Sequence, residues 1–160
     1  MNEEAGRIVR ELELAPHPEG GFFREIFRSP RVVVDARGRT RSALTVIYYL
    51  LTSDGVSAWH RLASDETWHY ARGSGLELVV LYGSGGCAVS SLGSDGPYVA
   101  TIPAGRPFAA RVLGADAFTL VTCCVAPGFE FEDFELLDPE LLRRESPGAE
   151  GIIAKFSRDA

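Results

Sequence analysis

The sequence predicts an all-β protein, a closed barrel or a two-sheet sandwich, from two observations. Short stretches of alternating apolar and polar residues fill the chain from residue 22 to residue 125, which is the pattern of half-buried strands. Clusters of turn-forming residues separate these stretches, for example at 83–86 and 93–96. A length of 160 residues suits one domain with a sizeable core. We therefore expect a single domain over 1–160, with its barrel core at about 20–136.

Two short helices are predicted to flank the strands. Asn2 is an N-cap residue followed by two glutamates, which favour the positive end of a helix dipole. Apolar residues spaced around Ile8 give this helix a buried stripe, and Pro16 lies beyond its end. Asp138 and the proline after it predict a second helix that runs to Arg144. The last dozen residues are expected to be loosely held.

The strands between these helices are predicted from alternation. In the first strand, Phe23, Glu25 and Phe27 are expected on one face. The acidic run 130–135 alternates with phenylalanines and predicts a strand with one solvated face. The remaining predicted strands lie at 32–34, 44–51, 57–61, 67–71, 76–82, 87–92, 98–102, 108–112 and 118–125.

Charge and composition exclude several classes of partner. The formal net charge is −6 and the sequence pI is about 5.1, whereas nucleic acids and anionic membranes require a basic face. No apolar run reaches membrane-spanning length. The cysteines, Cys87, Cys123 and Cys124, are odd in number and lack zinc-site spacing. They are interpreted as thiols packed in a reducing cytosol, so we expect a cytoplasmic protein.

Three segments carry a resemblance to a known family. They are Pro-His-Pro-Glu-Gly-Gly-Phe-Phe-Arg-Glu at 16–25, His60-x5-Glu66-x-Trp-His-x3-Gly at 60–73, and Val-Ala-Pro-Gly-Phe-Glu-Phe-Glu-Asp-Phe at 125–134. Together they resemble the cupin superfamily, and most closely its cupin 5 family, a domain of unknown function, over roughly residues 10–140. The resemblance implies a double-stranded β-helix, or jelly-roll barrel, with a central cavity. It also implies a homodimer built by packing or exchanging edge strands.

The resemblance also identifies the positions of a metal site. Many cupins hold a divalent ion with a His-x-His pair, a following Glu and a His from a second motif. His60 and Glu66 match two of these ligands, while Leu62 and Phe108 stand at or beside the other two. Strand alternation places His69 opposite Glu66 unless a bulge intervenes. No metal is therefore preferred, and a divalent ion held by His60, Glu66 and His69 is left as the alternative.

His60, Glu66, Trp68 and Tyr70 share strand parity and are expected to point inward together. One interpretation is a buried His–Glu pair that merely fills the barrel. The other is that Glu66 orients His60 as a general base facing a cavity. The sequence does not separate these two interpretations.

The segment 20–25 is also similar to the Arg-Gly-x-Phe-x-Glu segment of cupin-fold epimerases that act on nucleotide-linked keto-sugars. That resemblance implies metal-free chemistry in which a histidine moves the proton and a tyrosine is the acid. The candidate ligand-binding residues supply rings for stacking, a carboxylate, and guanidinium groups for anions. The candidate acids are Tyr48, Tyr49 and Tyr82, with Tyr48 preferred, and the candidate ligand-binding residues are Phe23, Arg24, Glu25, Trp59, Arg61, Trp68, Phe108 and Arg111.

Three functional hypotheses follow. The preferred one is a metal-independent isomerase, epimerase or cyclase acting on a small polar metabolite, with His60 as base, Glu66 as its orienting partner and Tyr48 as acid. The second is a non-catalytic cupin that binds a small molecule in an aromatic cavity. The third is a metal-dependent dioxygenase or isomerase. Expected partners are a small molecule and a second copy of the chain, with no nucleic acid and no membrane.

Overall fold

The computed structural model describes residues 1–157, and strands are its main regular structure. The helices are α1 Glu3–Glu11, α2 Pro139–Glu145 and α3 Glu150–Lys155, with short 3-10 turns at Gly83–Gly85 and Phe131–Asp133. The strands are β1 Ala15–Pro16, β2 Phe22–Arg28, β3 Val32–Val34, β4 Thr40–Ser42, β5 Thr45–Thr52, β6 Val56–Leu62, β7 Asp65–Gly73, β8 Leu76–Leu81, β9 Cys87–Leu92, β10 Val99–Ile102, β11 Phe108–Val112, β12 Phe118–Ala126 and β13 Phe134–Leu136.

The strands form two facing sheets and a separate hairpin. A six-stranded sheet has the order β1-β2-β5-β12-β7-β10, and a five-stranded sheet has the order β13-β6-β11-β8-β9. Strands β3 and β4 pair only with each other. Every pairing between the described strands is antiparallel. The predicted all-β class is confirmed.

The main core lies between the two sheets, where the inward side chains of both meet. Leu51 and Val121 contribute from the six-stranded sheet, and Leu78 and Ala110 face them from the five-stranded sheet. This core fills one end of the space between the sheets. The other end carries polar side chains and a cavity.

The helices cover the outer faces of the sheets. Helix α1 begins after Asn2, whose side chain accepts a hydrogen bond from the backbone of Ala5, so the predicted cap is confirmed. Its buried residue Ile8 packs on Leu50 and Phe118, on the outside of the six-stranded sheet. Helices α2 and α3 pack on the outside of the five-stranded sheet.

The C-terminal region corrects two predictions. The last dozen residues were expected to be loosely held, yet they include α3, whose Ile153 is fully buried, and Phe156 just beyond is fully buried too. Residues 158–160 lie outside the described residues. Trp59 was expected in the barrel cavity, but its indole N–H donates to the carbonyl of Ile153 at 3.0 Å beneath these helices. The reason is alternation: neighbours on a strand face opposite sides, so an inward His60 places Trp59 outside.

Two further predictions are changed by irregular backbone. Strand β2 pairs Glu25 with Ile47 but Phe27 with Val46, so one residue between them bulges. A bulge shifts the alternation by one, and Phe27 therefore faces solvent, 47% exposed. The acidic run predicted as one strand is a 3-10 turn followed by the short strand β13.

Two surface features bear on partners. No helix within residues 1–157 is both long and apolar enough to cross a membrane. Hairpin β3–β4 leaves Val32 and Val34 about 70% exposed, at 67% and 71%. The homodimer stays a prediction.

The packing of α3 gives a stability prediction. Phe156 is fully buried and its ring centroid lies 6.3 Å from that of Trp59, so Phe156→Ala should lower the free energy of unfolding by about 3–5 kcal/mol. Leu141→Ala is the control, because that side chain lies on α2 but is 53% exposed, and it should cost less than about 0.5 kcal/mol. Urea unfolding followed by tryptophan fluorescence measures both. Equal losses in the two variants would show that α3 is not part of the cooperative core.

Candidate functional site

A cavity of about 90 Å³ opens between the two sheets at the end away from the apolar core. Strands β2, β5, β6, β7 and β12 supply its walls, together with the loop before β2 and the segment after β12. The cavity is smaller than the roughly 150 Å³ that encloses a benzene molecule. It therefore encloses a head group of a few heavy atoms, and a larger ligand would extend through the mouth.

The loop at residues 17–21 carries two ionisable side chains into this cavity, and its glycines make that path possible. The His17 amide donates to the Gly21 carbonyl, and the Gly20 amide donates to the His17 carbonyl, both at 3.0 Å. Gly21 has φ +69°, and a Cβ there would lie 2.6 Å from the Leu50 carbonyl oxygen, so a larger residue would clash. Glu19 is held inward with 5% of its surface exposed.

Glu19 and His60 are in contact, and the groups around them fix where protons lie. His60 Nε2 is 3.1 Å from Glu19 Oε2, and His60 Nδ1 is 2.6 Å from the Ala58 carbonyl oxygen. Since a carbonyl only accepts, Nδ1 carries a proton. A further proton lies between Nε2 and Glu19, on one or the other. The Ser57 hydroxyl donates to Glu19 Oε1 at 2.9 Å, so both carboxylate oxygens have partners.

A bulge explains how Ser57 and His60 both face inward although they are three residues apart. Strand β11 pairs Phe108 with His60 but Ala110 with Ser57, so β6 carries an extra residue. Phe108 packs behind the imidazole, with ring centroids 3.9 Å apart. The apolar ring therefore holds His60 against Glu19 from the side opposite the cavity mouth.

His17 is a neutral donor in the same wall. The Glu19 amide donates to His17 Nδ1 at 3.3 Å, so the proton of the neutral ring lies on Nε2. Burial lowers the pKa of His17, against the opposite influence of the Glu19 charge. Within residues 1–157 no protein group accepts from its Nε2–H. The ring lies edge-on to Phe23 at 4.6 Å.

Glu66 is a second buried carboxyl on the cavity wall. Burial, and next the negative charge of Glu19, raise its pKa from 4.5 to about 8, because both disfavour the ionised form. Trp68 and Cys123 lie near enough to oppose this weakly. In the described part of the chain, however, Glu66 Oε2 and Trp68 Nε1 are buried without a hydrogen bond of good geometry. At neutral pH the carboxyl is protonated and turned toward the cavity.

The mouth of the cavity is closed on one side by an ion pair network. The bulge in β2 turns Arg28 inward, where its Nε and Nη2 donate to both oxygens of Glu25 at 2.9 Å. Arg28 Nη1 donates to Glu130 at 2.7 Å, and Nη2 donates to the Phe129 carbonyl at 3.0 Å. These bonds tie β2 to the segment after β12. The side chains are 37–43% exposed, which places them at the rim.

A second ion pair anchors the same segment farther along. Arg41, on β4, donates to Asp133 at 2.8 Å, and both side chains are over nine-tenths buried. Arg39 also contacts Asp133, at 2.6 Å. The residues between Glu130 and Asp133 are thus held at one end by β2 and at the other by hairpin β3–β4.

Several predicted site residues come together in the structure. His60 and Glu66 line one cavity with Phe23, Glu25 and Trp68. However, His60 contacts Glu19, not Glu66 as predicted. The loop at 17–21 reaches His60 first, and Glu66 lies on the other sheet. The inward parity of His60, Glu66 and Trp68 is as predicted.

Other predicted residues lie elsewhere. Tyr48 faces α1 in the outer cluster, because its neighbour Tyr49 takes the inward position. Arg24 is exposed and pairs with Glu13 at 2.8 Å, on the outer face of β2. Phe108 is buried behind His60 and does not line the cavity either. The remaining candidates outside the cavity lining are Arg61, Tyr82 and Arg111, all at the surface or partly exposed.

Two ionisable residues of the inner cavity wall, His17 and Glu19, were missed from the sequence, in addition to Arg28 and Glu130 at the mouth. His17 and Glu19 lie in a loop, where alternation gives no orientation. The available signal was the Pro-His-Pro-Glu-Gly-Gly run itself, since two ionisable residues beside a double glycine indicate a tight turn that can approach another strand. Tyr49 was considered only as an acid, and its hydroxyl donates to the Gly20 carbonyl at 2.9 Å. It supports the same loop.

The donor set does not fit a cupin metal centre. Both nitrogens of His60 already face protein acceptors, and Leu62 and Phe108 bring apolar groups where ligands are expected. His69 does not line the cavity, as alternation predicted. Within residues 1–157 no three His, Cys, Asp or Glu side chains are grouped so as to hold a metal ion.

Comparison with known proteins finds relatives along nearly the whole chain. The chain is 31% identical over 152 residues to the uncharacterized protein YML079W of Saccharomyces cerevisiae, covering 84% of this chain and 75% of the yeast protein. A hypothetical protein from Leishmania major superimposes with a TM-score of 0.90 at 33% identity, over 97% of this chain and 99% of that one. Protein SO0799 from Shewanella oneidensis gives 0.86 at 34% identity, over 100% and 99%.

A more distant structure shares the fold alone. An oxalate decarboxylase from Bacillus subtilis gives a TM-score of 0.57 at 15% identity, over 88% of this chain and 34% of that one. The cupin jelly roll predicted from the resemblance is thereby confirmed. Residues 6–137 match the family model Cupin_5, described as Cupin superfamily (DUF985). This match and the yeast relative show that the chain belongs to the Cupin_5 family of the cupin superfamily.

Proposed function

We propose that the cavity binds a small polar metabolite and moves a proton on it without a resident metal, as an isomerase, epimerase or cyclase does. The observation that carries the proposal is the His60–Glu19 contact, in which both imidazole nitrogens face acceptors and one proton is shared. A protonated carboxyl, Glu66, lies on the wall of the same cavity. Two buried groups held in different protonation states are what acid–base catalysis requires.

The proton path starts from the His60–Glu19 pair after its shared proton has passed to solvent through the cavity mouth, and the pair is in this same deprotonated state before and after each turnover. Nδ1–H of His60 then stays bonded to Ala58, and the Nε2 lone pair lies beside the Glu19 carboxylate. This pair acts as one base that takes a proton from a carbon next to a carbonyl group. Glu66 donates its proton to the carbonyl oxygen, which gives an enol. Return of one proton to carbon and of the other to Glu66 completes an isomerisation or epimerisation, with no net change in protons.

The roles differ from those the sequence predicted. Glu19, rather than Glu66, positions the histidine, since it is the carboxylate in contact with Nε2. Glu66 takes the acid role predicted for Tyr48, since its carboxyl lines the cavity and the phenol does not. His60 keeps its predicted role as base.

The second candidate is a cupin that binds a small molecule without transforming it. It is favoured by the same contact viewed differently: a histidine whose two nitrogens are both occupied is a satisfied structural group. The aromatic wall formed by Phe23, Trp68 and Phe134 suits binding alone. Hydrogen exchange on carbon separates the two candidates, because only the catalyst removes a C–H proton.

We expect the wild-type protein to exchange deuterium into at least one small carbonyl compound dissolved in D₂O. A suitable panel is acetone, dihydroxyacetone, acetophenone and pyruvate, followed by proton NMR. His60→Asn should slow this exchange by about 10²–10⁴-fold, the usual contribution of a positioned base. His69→Asn is the matched control, since that ring lies outside the cavity lining on the neighbouring sheet. Unchanged exchange in His60→Asn, or none in the wild type, would contradict the proposed chemistry.

Glu66 gives a separate prediction on pH and stability. The unfolded chain ionises this carboxyl near pH 4.5, whereas the folded chain keeps the proton to about 8. Between these values the folded state binds more protons, so stability falls as pH rises. Glu66→Gln removes the effect, and from pH 5 to pH 8 the variant should gain about 3 kcal/mol on the wild type. Urea unfolding of both proteins measures this, and a constant difference would show that Glu66 is ionised in the folded protein.

A further inference from the structure

The ionised side chains that line the cavity do not give it a net positive charge. Arg28 is the guanidinium that lines it, and two carboxylates, Glu25 and Glu130, already occupy its donors. His60, when protonated, is balanced by Glu19 at 3.1 Å. His17 carries no proton on Nδ1, which accepts a backbone N–H. The lining therefore holds at least one excess negative charge, and ionisation of Glu66 would only add another.

The inner wall, by contrast, holds polar atoms that lack a well-formed hydrogen bond. Trp68 Nε1–H is buried without a hydrogen bond of good geometry within residues 1–157, and Glu66 is the carboxyl beside it. An indole N–H only donates. Glu66 Oε2 is a second buried atom of this wall without such a bond. Unpaired buried donors are costly, so a ligand that brings an acceptor, such as a carbonyl oxygen, would relieve this cost.

Two aromatic rings flank the mouth of the cavity. The rings of His17 and Phe131 are stacked at an interplanar angle of 25°, with centroids 6.4 Å apart. Phe131 is 57% exposed and is the ring at the rim. It therefore offers an apolar face to the part of a ligand that extends through the mouth.

We infer that the cavity takes an uncharged carbonyl compound, with its carbonyl oxygen toward Trp68 and its body against Phe131 at the mouth, and that it rejects carboxylates and phosphates. The inference deepens the proposed function and rests on the cavity being its site. It departs from the nucleotide-linked sugars that the epimerase resemblance implies, because those carry phosphates past Glu25 and Glu130.

Three isosteric probes test the inference because they differ mainly in charge. They are benzamide, which is neutral with a carbonyl oxygen, benzoate, which is an anion, and benzamidinium, which is a cation without an acceptor. Dissociation constants come from NMR shift titrations of the protein at pH 7. Benzamide should bind at least ten-fold more tightly than either ion. If benzoate binds as tightly as benzamide, the charge argument is overturned. If benzamidinium binds as tightly as benzamide, the acceptor argument is overturned. Absence of benzamide binding up to 10 mM, roughly the weakest useful affinity, would overturn both.

Two variants with matched controls locate the effect. Phe131→Ala should weaken benzamide binding about five- to ten-fold by removing the ring that packs on the ligand at the mouth. Leu136→Ala, an exposed apolar residue that does not line the cavity, should leave it unchanged. Glu130→Gln should lower the ratio of the benzoate to the benzamide dissociation constant several-fold. Glu135→Gln should leave this ratio unchanged, because Glu135 pairs with Arg61 outside the cavity. Variants that behave like their controls would place the binding elsewhere.

These titrations involve no turnover, so their failure is distinct from that of the proposed function. Selective benzamide binding without deuterium exchange in the carbonyl panel would support the ligand class and contradict the proposed catalysis. Exchange into pyruvate together with tight benzoate binding would support the catalysis and contradict the ligand class.

Discussion

The geometry of the cavity depends on one carboxylate, that of Glu19. It receives the Ser57 hydroxyl on one oxygen and faces His60 with the other. Its charge is also one of the two causes that keep Glu66 protonated. The backbone of the same residue accepts from Ala58 at 2.8 Å, so the loop is fixed to β6 by main chain as well as side chain. Removing this carboxylate would leave His60 Nε2 buried without its partner, which is expensive in a dry site.

This arrangement is linked to the two residues that depart from the metal-binding cupin pattern. A histidine that coordinates a metal needs a free lone pair directed at the ion. Phe108 lies against the His60 ring at 3.9 Å, and Leu62 is buried nearby with no polar atom to offer. With apolar neighbours on these sides, the imidazole finds its partners in Ala58 and Glu19. The polar centre of this cupin barrel is therefore built around a loop carboxylate.

The regular parts of this structure were predictable and the irregular parts were not. Alternation gave the inward direction of His60, Glu66 and Trp68, because strand geometry has a fixed period of two. Bulges interrupt that period without a clear signal in one sequence, so the inward turn of Arg28 was missed. The placement of Glu19 depends on a loop, and loop paths are set by distant contacts such as that between Tyr49 and Gly20.

The burial of the C-terminal residues was missed for a similar reason. The C-terminal region has few apolar residues, and their burial depends on packing with Trp59, which lies almost a hundred positions earlier in the chain. A side chain predicted for the cavity was in fact the anchor for α3. The error in the face of Trp59 and the error in the burial of α3 therefore go together. Helix α2, by contrast, was predictable from its own local signal, the N-cap Asp138.

The double anchoring of residues 130–133 has a consequence for how a ligand gains entry. One anchor, Arg28, is solvated and exchanges partners at little cost. The other, Arg41 with Asp133, has both side chains over nine-tenths buried and separates less readily. The segment that bears Phe131 is thus held more firmly at its hairpin end than at its β2 end. A ligand should therefore enter the barrel on the β2 side, where the Arg28 ion pairs can open, while the end of the segment next to hairpin β3–β4 stays in place.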